Sequence, residues 1–201
     1  MIGLSYNIGN VVRGGIGMGL HAAVDSAIGY YFQGAYALVR LLSLDSEDAA
    51  ISIETREDVV LEGPNPTLHQ LKHSLSPGVL SEQNDGIWKT LRIWAGFLSE
   101  PNISFLFVTT ALMKNGSAML ELTKEDPNHA LVLAALDAEA ERVRKSREES
   151  IAQKEKPGYG DRWPGCEIYL GLSPEDRLRL LRRVKITPNS FSAADIPTVV
   201  G

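Results

Sequence analysis

Four residues of this chain have the types and spacing to act on a phosphodiester: Glu54, Asp58, Gln70 and Lys72. Asp58 opens the stretch "DVVLE", and Gln70 and Lys72 stand two apart in "TLHQLK". The two stretches flank "GPNP", whose glycine and prolines stop a strand and turn the chain, so an antiparallel hairpin is expected. Successive side chains of a strand point to opposite faces, which puts Leu68, Gln70 and Lys72 on one side and His69 and Leu71 on the other. The hairpin would gather a carboxylate, an amide oxygen and an ammonium at one edge of a sheet. A carboxylate can hold Mg²⁺, a hard cation that wants oxygen ligands, and the metal polarises the phosphodiester and its attacking water. Lys72 could orient or deprotonate that water and neutralise charge developing on the phosphorus oxygens. From residue types alone the commoner arrangement is a solvated strand edge with charged ends.

The elements that would position these groups are readable in outline. Ile28, Phe32, Ala35, Val39 and Leu42 recur at helical spacing from about Ala22. Three strands are expected over residues 51–55, 58–62 and 67–72, then a helix over 86–98 with Ile87, Leu91, Trp94, Ala95 and Leu98 as its apolar stripe. "ISFLFVTT", residues 103–110, is continuously apolar, the mark of a central strand covered on both faces. Asp126 and Pro127 supply an N-cap and first-turn proline for a long helix to about Ser150, apolar early at Leu131, Ala134, Ala135 and Ala138. "KEKPGYGDRWPG" reads as a loop. A short helix opens on the capping box of Ser173 and Asp176, with Leu178, Leu181 and Val184 on one side. The ending from Lys185 forms no recognisable element. This gives a glycine-rich lead-in over 1–21, a domain over 22–156, and a linker with a short helical extension over 157–201, leading into a longer protein.

Composition narrows the classes. The 201 residues are 44% hydrophobic and 22% charged, enough for one sizeable core. A net charge of -5 argues against wholesale coating of nucleic acid, though a local basic cleft can sit on an acidic protein. One cysteine, Cys166, excludes an internal disulfide framework and a multi-cysteine zinc cage. No run approaches the roughly 18 apolar residues that span a bilayer, so a soluble, cytoplasmic protein without membrane contact is expected. Gly14, Gly15, Gly17 and Gly19 invite a phosphate-loop reading, but no strand precedes them and no Gly-Lys-Ser/Thr follows. His21, His69, His73 and His129 do not fall at metal-cage spacings, and no Gly-x-Ser-x-Gly elbow exists.

The order helix, three strands, helix, strand, with an acid opening one strand and Gln-x-Lys on the next, resembles the PD-(D/E)XK restriction-endonuclease-like nucleases. "GYYFQGAYALVRLL", "SIETREDVVLEG", "HQLKHSL" and "IWKTLRIWAGFL" look more closely like the double-stranded-DNA nuclease domain at the N-terminus of CBASS anti-phage effectors, which also occurs beside HerA-type ATPases. The resemblance spans about residues 27–110. It implies an α/β restriction-endonuclease-like core with a helical C-terminal extension. It further implies Asp58 as the metal-holding acid, Gln70 in the acid position of the last motif, and Lys72 as its lysine. Glu54 falls on an upstream acidic position, Gln33 on a first-helix polar position, and the Leu71 carbonyl on a further metal ligand. The implied cofactor is Mg²⁺ or Mn²⁺ and the implied substrate double-stranded DNA; from charge alone, Lys72, Lys89 and Arg92 are candidates to hold it at the mouth of the cleft. Oligomerisation is expected, as is activation through a HerA-type ATPase or a nucleotide-sensing domain outside this chain.

Two other readings stay open. A nuclease fold without catalysis could serve as a DNA-binding or assembly module, which the neutral Gln70 favours. A structural oligomerisation domain could use Trp88, Trp94 and Trp163 as surface contacts. Cations late in the long helix (Arg142, Arg144, Lys145, Arg147) and after the capping-box helix (Arg182, Arg183, Lys185) could track a phosphate backbone, or be solvated helix faces.

Overall fold

The computed structural model describes residues 16–44, 49–73 and 78–191, with side chains from Ala27 onward. The lead-in up to Gly15 and the tail from Ser192 lie outside the described residues. The chain is a mixed α/β structure built on one five-stranded sheet. In chain order its elements are α1 (Ile16–Leu42), β1 (Ile51–Ile53), β2 (Val59–Leu61), β3 (Thr67–Lys72), β4 (Val79–Leu80), α2 (Asp85–Ala95) and β5 (Ser104–Thr109). They continue with β6 (Leu112–Met113), a 3-10 helix (Ala118–Thr123), α3 (His129–Ala152), α4 (Trp163–Gly171), α5 (Pro174–Leu181) and β7 (Val184–Thr187).

The strand order is β1-β2-β3-β5-β7, antiparallel from β1 to β3 and parallel from β3 to β7. Strand β3 is therefore central, and the Gln-x-Lys pair does not lie at an edge. The "GPNP" turn makes the expected hairpin, with Val59 opposite His69 and Leu61 opposite Thr67. β4 and β6 form a separate parallel pair.

Alternation along the strands sorts the core into two layers. Val60, Leu68, Phe105 and Phe107 join the larger cluster with Ile87, Trp88, Leu91 and Trp94 of α2 and with α3, α4 and α5. Val59, Leu71 and Val108 join Phe32, Tyr36 and Ala37 of α1 on the other face. The sheet is thus covered on both sides, which is why β5 reads as an unbroken apolar run.

Several expectations need correction. Helix α1 starts at Ile16 rather than Ala22, running through Gly17 and Gly19, since a glycine inside a helix costs only about 1 kcal/mol. The cap of α3 is Asn128, whose Oδ1 accepts from the Leu131 N–H at 3.1 Å, so Asp126 and Pro127 lie before the helix. Its buried face is Val132, Leu136, Ala140 and Val143, while Leu131 is 48% exposed. Two seams with 3–4 spacing run one residue apart on this helix, and the one with larger side chains buries more apolar area. The loop read over "KEKPGYGDRWPG" ends early, because Trp163 begins α4. The segment after Lys185 is not formless: Val184 and Ile186 point into the core and β7 pairs with β5. Val184 accordingly belongs to a strand and not to α5. Trp88 and Trp94 are 0% and 1% exposed, so they cannot be surface contacts.

Helices α2 and α4 meet closely. Trp88 and Tyr169 pack edge to face with centroids 5.5 Å apart. A Cβ on Gly165 would lie 2.2 Å from the Trp88 carbonyl oxygen and 2.6 Å from its carbon, both backbone atoms that cannot step aside. Gly165→Ala is expected to lower stability by about 2 kcal/mol in urea denaturation. An unchanged midpoint would mean that the two helices are not held at this distance.

Charged groups lock the same region. Glu139, 6% exposed, takes a two-pronged ion pair from Arg142 and a further one from Arg162, which also reaches Asp85 at 2.8 Å. The Arg142 and Arg162 hydrogen bonds hold the Glu139 carboxyl below its usual range despite its burial.

Candidate functional site

The start of β2 and the end of β3 converge as the hairpin predicts. Asp58 Oδ2 accepts hydrogen bonds from the Gln70 side-chain nitrogen and from the Leu71 N–H, the latter at 2.7 Å. Gln70 is 4% exposed, and its Oε1 faces the Thr90 hydroxyl of α2 at 3.5 Å. Leu71 packs among Phe32 and Tyr36 behind the sheet, so the expected division of faces holds. Burial pushes the Asp58 carboxyl up, and the Leu71 N–H, Lys72 and Gln70 offset part of this, while the Glu54 charge adds to it.

The residue that the sequence reading passed over is Glu57. It is 8% exposed, and its Oε1 is buried without a hydrogen bond of good geometry among the described residues. Burial first and the charge of Asp58 second push its carboxyl up to about 7, against the smaller opposing pull of the Trp94 indole and Lys72. Trp94 itself stacks on Phe105 with centroids 4.8 Å apart, and its Nε1 is likewise buried without a partner of good geometry. Two neighbouring carboxylates are thus withdrawn from water near one ammonium. The only sequence signal was the doublet Glu57-Asp58 where an apolar strand begins.

The remaining candidates are placed differently. Glu54 is exposed at a left-handed φ of 55°, and its N–H donates to the Asp58 carbonyl at 3.1 Å; its carboxylate acts on the site through charge alone. Gln33 sits on α1, the helix on the opposite face of the sheet from Gln70, with its Oε1 buried and without a hydrogen-bond partner among the described residues. Lys89 and Arg92 are exposed on α2, and Lys89 pairs with Asp161 at 3.4 Å. The contact given to Leu71 here is through its N–H, not the carbonyl that the resemblance assigns to a metal.

Would these groups suit a hard divalent cation? Asp58 and Glu57 offer anionic oxygens, and among the described residues the buried Oε1 of Glu57 has no hydrogen bond of good geometry. Gln70 turns its nitrogen to Asp58, and a half-turn of the amide would bring its oxygen there instead. The Thr90 hydroxyl has one proton, donated at 2.8 Å to the Gly86 carbonyl, so its lone pairs are open to a Gln70 N–H after such a turn. The donor chemistry therefore fits Mg²⁺, although among the described residues no group of three or more His, Cys, Asp or Glu is placed to hold a metal ion.

No family model matches the chain, and no curated protein matches it. Among the described residues no helix is long and apolar enough to cross a membrane.

Proposed function

We propose that the chain is a metal-dependent endonuclease acting on double-stranded DNA, with Asp58, Glu57, Gln70 and Lys72 as its site. The observation that carries this reading is the convergence of two desolvated carboxylates and a lysine at the end of the central strand, tied together by the Asp58–Gln70 and Asp58–Leu71 hydrogen bonds. The element order, with three antiparallel strands after a helix and a parallel strand after the next helix, supports a restriction-endonuclease-like core.

Asp58 and Glu57 would hold Mg²⁺ or Mn²⁺, joined by Gln70 Oε1 once the amide has turned. When bound, such a cation polarises a phosphodiester and acidifies water. Lys72 lies on the Gln70 face of β3, where an ammonium can neutralise charge on the phosphorus oxygens and orient the attacking water. A role in bacterial anti-phage defence, oligomerisation, and activation by a HerA-type ATPase or a nucleotide-sensing domain follow from the resemblance alone.

A second reading, a nuclease fold that binds DNA or assembles without cutting, is favoured by the neutral amide of Gln70 and by its nitrogen facing Asp58. Plasmid DNA incubated with the purified chain separates the two. The nuclease reading expects nicked and linear products in Mg²⁺ or Mn²⁺ and none with chelator. Intact plasmid in both metals, with duplex binding retained, would leave the non-cutting reading.

A further inference from the structure

A second site lies on the other face of the sheet. Where β3, β5 and β7 begin, at Thr67, Ser104 and Val184, a cavity of about 380 Å³ opens. His69, Leu106 and Lys185 stand in one row across these strands, and Arg40 approaches from the last turn of α1. Gln70 and Lys72 point to the opposite face, and Lys72 is five residues, or about 17 Å of strand, beyond Thr67. The cavity is therefore not the mouth of the carboxylate site.

Its charge is one-sided. Arg40, Arg182, Arg183 and Lys185 line it with His129, and the only acid among the lining residues is Glu125. Among the described residues none of the four cations forms an ion pair, and Arg183 gives one N–H to the Glu100 carbonyl at 2.7 Å. By contrast Arg142 and Arg144, in the other cluster that could have tracked DNA, are paired with acids. Arg40 Nε is buried with no hydrogen-bond partner among the described residues, a desolvated charged donor. In a chain of net charge -5, this gathers cations where their mutual repulsion is relieved by an anion, and a cleft lined by one sign focuses that field. Guanidinium forks match phosphate oxygens, and Leu61, Leu106 and Pro127 supply apolar wall for the rest of a ligand. The volume falls in the range of roughly 300–1,000 Å³ usual for small-molecule sites.

We propose that this cavity binds a small phosphate-bearing molecule of nucleotide size, at a site separate from the carboxylate–lysine centre. The proposal does not depend on the nuclease reading. Calorimetry of the whole chain in chelator, with inorganic pyrophosphate and with ADP as probes, tests it. Saturable binding is expected, weakened at least about tenfold (1.4 kcal/mol) by Lys185→Glu and by Arg40→Gln and unchanged by Lys145→Ala, an exposed cation elsewhere on α3. Lys185 is exposed, so its variant should melt as the parent does even if Arg40→Gln misfolds. No heat from either probe up to about 1 mM would overturn the proposal. So would equal binding in all variants. Loss of duplex DNA binding in Lys185→Glu, with no pyrophosphate binding in the parent, would assign the patch to a nucleic-acid backbone instead.

Discussion

If the chain is the proposed nuclease, Lys72→Ala should lower the rate of Mg²⁺-dependent duplex cleavage by about 1000-fold, the scale of removing one preorganised electrostatic donor from a phosphoryl-transfer site. The side chain is half-buried on the face that also carries Gln70, and its charge already lowers both Glu57 and Asp58. It makes no hydrogen bond or ion pair within the described structure that packing would miss, so the fold should survive with a loss below about 1 kcal/mol. Duplex affinity should fall no more than about fivefold, since only one cation leaves the surface. Single-turnover cleavage and binding measured on the same preparation separate these effects. A variant that cuts at the parental rate removes Lys72 from the chemistry. A variant that loses binding as steeply as cutting makes Lys72 a DNA anchor and no more.

How far the sequence could lead to this site depended on whether each signal was local. Residues 67–72 were legible because "GPNP" fixes a turn and alternation fixes the faces, and both survive in β3. The partnership of Asp58 with Gln70 followed from the hairpin register alone. Glu57 was not legible: in "TRED" nothing marks which acid turns inward, and the groups it meets there, Trp94 and Lys72, come from other elements. The strand "VKIT" shows period-two burial but is only four residues long and follows a helix rich in leucine and arginine, so it looked like a fading helix end. The buried Glu139 was hidden for a similar reason, since its partner Arg162 lies 23 residues away. Placement of β3 inside the sheet rests on its parallel pairing with β5, from which it is separated by β4 and α2, and the hairpin alone does not show that pairing.

Glu57→Gln should stabilise the protein by about 3 kcal/mol above pH 7 and by little below pH 4.5. The Glu57 carboxyl rises from an ordinary 4.5 to about 7 because folding strips it of water beside Asp58. A folded-state pKa above the unfolded one means that the native protein binds the extra proton between these values. The contribution is fully present below 4.5 and is lost as pH rises through 7, at about 1.4 kcal/mol for each pH unit between the two values. Glutamine keeps the shape of the protonated acid and has no charge to desolvate, so it escapes the loss. His69 slopes the other way, because burial and Arg40 lower it from 6.5 to about 4: its contribution is present above 6.5 and lost as pH falls toward 4. The two slopes oppose each other in the parent from pH 4.5 to 6.5, whereas in the variant the slope of Glu57 is gone, so the variant should gain stability relative to the parent as pH rises over that range. Urea denaturation at a series of pH values in chelator reads the difference directly, and since His69 is common to both proteins it cancels. Parallel curves would show that Glu57 is hydrated and not held at the site. Repeating the series in Mg²⁺ carries the argument to function: a cation shared by Asp58 and Glu57 would offset the desolvated charge, so the parent should gain stability from the metal at pH 8 and the glutamine variant should gain less.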